Sequence, residues 1–598
     1  MKYSKYILSY VIAGLTFLSC DLMDQPAKSS FEDAEVFSNA TLTRYSLNAV
    51  YESYTIMASY RTDYFYYYGL NTDIEMVGNR GSTPDDRTRI TQYDITPNNY
   101  LLDNASDQYL FSGNMRGIER ANICIQGLKK YGDVDNNPEL GALYGEALVA
   151  RALLYIDLMN VYGEVPARFS PITKETIYLP KADKDVLYKQ LLSDLETAAK
   201  YLSYQQDVIT KPGKALANGL YARIALQAAG YSLRPDEGKV NTGDAGTVRK
   251  SRDPQLQASV LYPKALKALE DVIEHGNLSL YENFEDLWKS YCNLETQYGK
   301  EIIYGLPFSN SRGQHITQNG VPNEKYGHGS GGRNGVSPTL YFRYDKDDTR
   351  RDVTCCPFSY DKNGVADPTV ANPARWYYGK FRFDWMETQP LKDNNAEDGA
   401  KYTYMRYADI LLMAAEIANE LDDLDKAKEY MKPVLDRAFH NESKVNAYLN
   451  RLADKEAFFE AIKDQRAFEF AGEMLRRADL IRWGILKKAL DEVKEEIRAL
   501  QQLSGKFSTF STAICWRLKE NGTDVELYGF NPGETEDKTV TDPQGGWQRR
   551  KTYFTTIKDT YIDNIYVKNP DENMYRPIPA SIIIANMGVL KNDYNYNF

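Results

Sequence analysis

Three segments of the chain place apolar residues at alternating steps of four and three, the period that puts them on one face of an α-helix. This pattern constrains the fold more than any other feature, because an apolar helix face must be buried against a partner. The three stripes are Leu148, Ala152, Tyr155, Met159 and Tyr162; Ala217, Tyr221, Ile224, Ala225 and Ala228; and Tyr407, Leu411, Ala414, Ala418 and Leu421. Their alanines let a partner helix approach closely. We therefore predict a mainly α fold, a tetratricopeptide-like scaffold of stacked helical hairpins.

Long polar stretches rich in glycine, asparagine and tyrosine lie between the predicted helices. They span residues 60–106, 232–256, 309–338, 357–400 and 504–550. Compact domains seldom carry connections of this length unless the loops have a use. We therefore expect the helical scaffold to present long irregular loops that bind a ligand.

The N-terminus has the pattern of a bacterial lipoprotein signal. Two lysines precede an apolar run from Ile7 to Leu18, and the run ends at Ser19 and Cys20. The run has twelve residues, whereas a membrane-spanning helix needs about 20. We predict that residues 1–19 are a lipoprotein signal peptide, that the thiol of Cys20 carries the lipid, and that the exported chain does not span a membrane.

Charge and the rarer residues argue against several classes of protein. Removing residues 1–19 takes away two lysines and no acid, so the formal net charge of −11 becomes −13, which argues against nucleic acid as a partner. The cysteines other than Cys20 are odd in number and form no C-x-x-C motif, and the four histidines form no paired metal motif. We therefore expect no disulfide framework, no bound metal and no cofactor.

Four further segments carry motifs that occur together in one known family. They are Ala147 to Pro166, with Tyr162-Gly163 near its end; Arg406 to Glu416; Arg466 to Trp483, in which arginines and acids alternate; and Pro577-Ile578-Pro579 followed by Asn592-Asp593-Tyr594. In this order, and together with the lipoprotein signal, they resemble the SusD/RagB family of outer-membrane nutrient-binding lipoproteins. The resemblance covers nearly the whole mature chain.

This resemblance implies a SusD-like fold and a protein that binds its ligand without catalysis. The chain would consist of the signal at 1–19, an N-terminal helical region with ligand loops at 20–255, and a second region at 256–598 packed into the same globular unit. It would be anchored by lipid and exposed on the cell surface at the outer membrane. There it would capture oligo- or polysaccharides and deliver them to a SusC-like TonB-dependent transporter.

The charged residues of the signature helices are expected to be structural. They are Arg406, Asp409, Glu416, Arg466, Glu469, Glu473, Arg476 and Asp479. A charge that is buried alone is costly, so we predict that these side chains pair with one another or cap backbone groups.

Candidate ligand contacts lie in the polar stretches. A sugar ring is held by a flat aromatic face and by planar hydrogen-bonding groups, and tyrosine tolerates a half-wet position. Three clusters, at Tyr64 to Tyr100, Asn323 to Asn334 and Trp376 to Trp385, combine such groups where no helical period would bury them. The residues that we single out are Asp73, Asn79, Arg80, Asn99 and Tyr100 in the first cluster, Tyr326 and His328 in the second, and Trp376 and Tyr377 in the third. Truncating Trp376 or Tyr100 is expected to weaken glycan binding without unfolding the protein.

Two other functions remain open. Some proteins that resemble this chain serve peptide uptake, and nothing in the loops excludes a peptide ligand. A secreted glycan hydrolase would need two carboxylates at a set separation. With 83 acidic residues such pairs arise by chance and carry no weight, and the chain contains no nucleophile elbow or phosphate-binding loop motif.

The predicted anchor can be tested by Cys20→Ala. A triacylated Cys20 should hold the protein on the outer membrane through salt and carbonate washes, because two or more acyl chains anchor stably. The alanine variant should be released, as measured by immunoblotting of the washed membranes. Retention of the variant in cells that lack the partner transporter would show that lipid at Cys20 is not the anchor.

Overall fold

The computed structural model describes residues 31–78, 84–103, 109–328, 331–368, 372–392 and 396–596. The predicted signal peptide and Cys20 lie outside these residues. In this part of the chain, no helix combines the length and the apolar character needed to cross a membrane.

Helices account for most of the regular structure. From the N-terminus to the middle of the chain they are α1 (Asp33–Phe37), α2 (Ala40–Tyr51), α3 (Asp86–Thr91), α4 (Leu110–Tyr131), α5 (Pro138–Tyr162), α6 (Lys184–Tyr201), α7 (Lys214–Ala229), α8 (Ala258–His275), α9 (Phe284–Cys292), α10 (His315–Asn319), α11 (Pro338–Arg343) and α12 (Arg350–Thr354). Then follow α13 (Tyr407–Glu420), α14 (Leu424–Phe439), α15 (Glu442–Arg451), α16 (Lys455–Phe470), α17 (Arg476–Arg482), α18 (Leu486–Gln501), α19 (Lys538–Thr541), α20 (Asp559–Asp563) and α21 (Ala580–Ala585).

The strands are short and pair antiparallel. They are β1 (Glu75–Val77), β2 (Ser232–Arg234), β3 (Thr247–Arg249), β4 (Ile302–Gly305), β5 (Asn334–Val336), β6 (Cys355–Cys356), β7 (Ser359–Tyr360), β8 (Ala366–Asp367), β9 (Trp376–Tyr378), β10 (Thr403–Arg406), β11 (Ile514–Leu518), β12 (Val525–Tyr528) and β13 (Gln548–Arg550). The largest sheet among the described residues has the order β1-β5-β9-β6. A three-stranded sheet has the order β12-β11-β13, and the other strands form pairs.

Helix α5 illustrates how local sequence sets the helix bounds. It begins behind Asn137, whose side chain accepts hydrogen bonds from two backbone amides at 3.2 Å, and Pro138 occupies its first turn. It ends at Gly163, whose φ of 75° favours glycine. All residues of the first predicted stripe are buried on α5, and those of the second are buried on α7. The third stripe lies on α13, with Leu421 at its C-terminal cap.

The long helices stack as consecutive hairpins. The helices α4, α5, α6, α7 and α8 pack in consecutive pairs along the chain, and α13 then packs against α8, α14 and α16. The inner faces of these helices form one continuous apolar core. The predicted tetratricopeptide-like scaffold is therefore confirmed.

The polar stretches are more ordered than the sequence indicates. The stretches 60–106, 309–338 and 357–400 contribute β1, β5 and β9 to the four-stranded sheet, which shares a second apolar core with α18. A buried loop would leave backbone amides and carbonyls without partners, whereas strand pairing satisfies them. Short parts of the predicted irregular loops are therefore paired strands.

The signature charges pair in the interior, as predicted. The buried guanidinium of Arg406, at the end of β10, lies 2.7 Å from Glu473 and 3.0 Å from Glu469, and it also contacts Glu301. Arg437 of α14 lies 2.8 Å from Glu301 and 2.5 Å from Glu469. We call these five residues the Arg406 cluster. It joins β10, α14 and the C-terminal end of α16.

A second set of pairs links the neighbouring helices. Arg466 of α16 lies 2.8 Å from Asp409 of α13 and 2.7 Å from Asp479 of α17. Arg482 lies 2.8 Å from Asp479 and 2.7 Å from Glu416. Burial alone would raise the pKa of Asp409, but its arginine partners outweigh burial and hold the pKa at about 2. These carboxylates therefore remain charged partners within the core.

Replacing Arg406 with leucine should lower the free energy of unfolding by about 3–5 kcal/mol, because three buried glutamates then lose their shared cation. Arg498→Leu is the matched control, since Arg498 and its partner Asp563 are both substantially exposed. This control should change the free energy by less than about 1 kcal/mol. Urea unfolding followed by tryptophan fluorescence measures both. Equal effects of the two substitutions would contradict a structural role for the Arg406 cluster.

Candidate functional site

The four-stranded sheet brings the three clusters of the sequence together. Val77 of β1 pairs with Asn334 of β5, and Gly335 of β5 pairs with Tyr377 of β9. Beside β1 lies a partly open cavity of about 310 Å³. We call it the sheet cleft, and its lining includes Tyr66, Gly78, Asp85, Arg87, Arg333 and Arg375.

The first turn of α3 places Arg87 at the sheet cleft. The carboxylate of Asp85 caps this helix, because it accepts hydrogen bonds from the backbone nitrogen of Thr88 at 2.8 Å and from the Thr88 hydroxyl at 2.7 Å. The Arg87 guanidinium lies 5.6 Å from the ring centroid of Tyr66 and 3.5 Å from Asp63. Burial raises the pKa of Asp63 in spite of this cation. Arg87 is thus held between a carboxylate and an aromatic face.

Arg375 reaches the cleft from the residue before β9. Its guanidinium donates a hydrogen bond to the carbonyl oxygen of Gly332 and lies 5.0 Å from the ring centroid of Tyr377. A Cβ atom at Gly78 would lie 3.1 Å from Nε of Arg375 and 2.7 Å from the carbonyl oxygen of Arg333. Glycine at this position therefore leaves room for the guanidinium. Burial lowers the pKa of Arg375.

Tyr100 lies beside the first turn of α3 and is open to solvent. Its side chain is 53% exposed, and its backbone nitrogen donates a hydrogen bond to the carboxylate of Asp86 at 3.1 Å. Burial would lower the pKa of Arg87, but acidic and phenolic neighbours raise it, and Tyr100 is one of them. An exposed ring beside planar guanidinium donors can pack on a sugar face while the donors bind its oxygens.

The prediction that Trp376 lies in a ligand-binding loop is wrong. Its side chain is 0% exposed, and its ring lies 5.2 Å from the rings of Tyr341 and Phe530 in edge-to-face contacts. The expectation that no periodic pattern would bury it fails, because the strand pairing of β9 carries it into the second core. Trp376 therefore supports the sheet and presents no ring face to a ligand.

Asp73, Asn99 and His328 are also buried, each with a partner within the protein. Asp73 lies 2.7 Å from Arg476, and although burial alone would raise its pKa, Arg476 and Arg343 hold it at about 2. The Asn99 side chain donates to the carbonyl oxygen of Asp86 at 3.0 Å and accepts from the backbone nitrogen of Leu101 at 3.1 Å. His328 stacks on Phe383 at 4.1 Å. The interpretation of these three as ligand-facing loop residues is wrong.

The remaining candidates differ in their relation to the cleft. Tyr377 is buried beneath Arg375 and supports its guanidinium. Tyr326 is half-buried in a single helical turn, with Lys325 5.5 Å from its ring centroid, and it does not line the cleft. Asn79 and Arg80 lie outside the described residues.

Two cleft residues, Arg87 and Arg375, are not among the candidates that the sequence suggests. Arg375 directly precedes the Trp-Tyr-Tyr of the third cluster, and Arg87 follows the acidic pair that begins α3. These neighbouring residues are the sequence signals by which Arg87 and Arg375 could have been found. The presence of both arginines in one cavity depends on pairing between strands that are distant in the chain, which no local pattern reports.

The comparisons with known proteins establish the family. The sequence matches a family model described as the SusD family over residues 234–596, and a second model described as starch-binding associating with outer membrane over residues 28–226. The chain belongs to the SusD family. The division of the chain at residue 255 stays a prediction.

Relatives share this likeness along much of their length. SusD-like protein P25 of Formosa agariphila is 25% identical over 409 residues, which are 63% of this chain and 70% of that protein. SusD-like protein P2 of the same organism is 22% identical over 452 residues, which are 73% of this chain and 81% of that protein.

Solved structures share the fold. A SusD homolog from Bacteroides thetaiotaomicron superposes with a TM-score of 0.69 at 20% identity and covers 94% of this chain and 98% of its own. Surface glycan-binding protein A from Bacteroides thetaiotaomicron, in complex with laminarihexaose, superposes with a TM-score of 0.59 at 17% identity and covers 92% and 99%. The SusD-like fold predicted from the sequence is therefore confirmed.

Because Trp376 is buried, truncating it should destabilise the protein, whereas the sequence alone predicts no unfolding. Trp376→Ala should lower the free energy of unfolding by about 3–5 kcal/mol, because it empties a packed aromatic core. Tyr100→Ala is the control, and its stability should be nearly unchanged because the side chain is exposed. Differential scanning calorimetry of the two variants measures the difference. An unaltered melting temperature for Trp376→Ala would show that the ring is not packed as described.

Proposed function

We propose that this protein is a cell-surface glycan-binding protein whose ligand occupies the sheet cleft. The observation that carries the proposal is the exposed ring of Tyr100 beside the first turn of α3, which also places Arg87 in the cleft that Arg333 lines. A volume of about 310 Å³ lies in the range of small-molecule sites, about 300–1,000 Å³. Proteins of the same fold support this assignment, since one is in complex with laminarihexaose and another is described as laminarin binding.

Delivery of the glycan completes the proposed function. A binding protein without an energy source can only capture its ligand, so import requires a transporter, and we propose a SusC-like TonB-dependent barrel as that partner. The protein would be held on the outer membrane by lipid at Cys20 and would enclose the glycan against the barrel. The family model described as associating with outer membrane supports this location.

The acids of the cleft support binding without catalysis. A glycoside hydrolase needs one carboxylate as acid and another as base or nucleophile, both free to face the bond. In the cleft, Asp63 pairs with Arg87, and Oδ1 of Asp85 caps α3, which fixes the position of this carboxylate. We therefore propose a protein that does not hydrolyse its ligand. A peptide ligand for the same transporter type is the second candidate.

The proposal predicts that Tyr100→Ala weakens glycan binding by about 1–3 kcal/mol, the scale of burying one aromatic ring. Tyr45→Ala is the matched control, because Tyr45 is also exposed but lies on α2, away from the cleft. Isothermal titration against a panel of oligosaccharides and peptides measures both. Co-purification of the transporter should survive both substitutions.

Three outcomes would contradict the proposal. If Tyr100→Ala and Tyr45→Ala behave alike, the ligand does not contact the cleft. If only peptides bind, the ligand class is wrong. If metal-free protein releases reducing ends from a polysaccharide with sustained turnover, the protein is a hydrolase.

A further inference from the structure

We infer that the glycan of the sheet cleft is anionic and that its carboxylate or sulfate groups bind Arg333 and Arg375. This inference rests on the proposed function and names its ligand class. It follows from the charge balance of the cleft, from the unpaired nitrogens of its arginines, and from the contrast with arginines elsewhere in the fold.

The cleft has more cations than anions. Arg87, Arg333 and Arg375 line it, and Asp63 neutralises Arg87 at 3.5 Å. Oδ1 of Asp85 accepts both hydrogen bonds of the α3 cap, so the cleft has three guanidinium groups and the carboxylates of Asp63 and Asp85. Among the residues that the structure describes, no carboxylate lies within 4.0 Å of the guanidinium nitrogens of Arg333 or Arg375. Arg333 and Arg375 therefore face the cleft without a carboxylate in direct contact, and Asp63 attracts Arg333 only from beyond that distance.

Arg375 has hydrogen-bonding capacity left unused. Its guanidinium donates to the carbonyl oxygens of Gly332 and Asn334, the latter at 3.4 Å, while Nε is buried and has no hydrogen-bond acceptor in the described part of the chain. Nε of Arg87 is also buried and has no hydrogen-bond acceptor among the described residues. Burying a charge without its counterion is costly, so an anion that enters the cleft gains the interaction that the protein leaves unmade.

Other buried arginines in the described part of the protein do not combine an open cavity with the absence of a carboxylate partner. Arg406 and Arg466 each contact at least two carboxylates. Arg477 and Arg576 have no carboxylate partner among the described residues, but they are enclosed by aromatic rings, with Tyr93 5.7 Å and 5.2 Å from their guanidinium carbons. Arg375 differs from both groups because it lines an open cavity.

The chemistry of the guanidinium group selects the ligand. A planar fork of N–H donors matches the two oxygens of a carboxylate or a sulfate and binds them more strongly than it binds a hydroxyl. Tyr100 adds exposed aromatic surface for the sugar ring. The formal net charge of −11 does not oppose this local preference, because charges more than about 8 Å away are largely screened at physiological salt.

Matched probes isolate the charge of the glycan. Polygalacturonate is compared with its neutral methyl ester, and dextran sulfate with dextran, by isothermal titration at low and at higher salt. At least one charged polymer should bind about tenfold more tightly than its neutral counterpart at low salt, and added salt should reduce this preference. The pair that shows the preference distinguishes a carboxylate ligand from a sulfate ligand.

Substitutions of the cleft arginines test whether the preference for charged polymers arises in the sheet cleft. Arg333→Gln should weaken binding of the charged polymer about tenfold and leave binding of the neutral one unchanged. Arg120→Gln removes the same charge from α4, where Arg120 pairs with Glu52, and should change neither. Arg375→Gln should resemble Arg333→Gln. If Arg375→Gln fails to fold by circular dichroism, the partly exposed Arg333 decides the question alone.

The possible results distinguish failure of the anionic assignment from failure of the proposed glycan-binding function. If the neutral polymers bind as tightly as the charged ones, or Arg333→Gln has no effect on charged polymers, the anionic assignment is overturned while glycan capture stands. If no glycan binds, both are overturned. If polyglutamate displaces polygalacturonate with equal affinity, the site recognises anions without recognising sugars, and both are again overturned.

Discussion

The pairing of charges inside the helical scaffold is the constraint on which the rest of the structure depends. Arg406 contacts Glu469 of α16, Glu473 shortly after this helix and Glu301 just before β4, so it connects the helical hairpins to the strand pair β4 and β10. A buried ion has to be compensated where it lies, so this geometry tolerates little change in the relative position of these elements. Apolar burial drives the helices together, whereas the ion pairs specify how they meet.

The same coupling extends from the scaffold to the sheet cleft. Asp73, just before β1, lies 2.7 Å from Arg476 of α17, and the Glu75 carboxylate accepts a hydrogen bond from the backbone nitrogen of Gly472 at 2.8 Å. Burial raises the pKa of Glu75 to about 7. Strand β1 is thus tied to the segment that links α16 and α17. The cleft beside β1 is therefore positioned by the helical scaffold rather than by flexible loops.

The parts of this architecture that a sequence can predict are those with a local period or a repeated motif. The stripes on α5, α7 and α13 and the paired charges of the signature helices are of this kind. Strands β1 and β9 have three residues each, too few to show a period, and their pairing joins distant parts of the chain. For that reason the burial of Trp376 and the presence of Arg87 and Arg375 in one cavity could not be predicted. The exposure of Tyr100 agrees with its place in a polar stretch, whereas its contact with a ligand stays a proposal.

The position of the bound ligand tests the central claim most directly. A crystal structure of the protein with an oligosaccharide that it binds would show this position. The account predicts density for the sugar in the sheet cleft, with a ring against Tyr100 and an oxygen within hydrogen-bond distance of Arg333. Density confined to the aromatic cavity of about 330 Å³ at Tyr341, Phe342 and Phe507, with the sheet cleft empty, would contradict it.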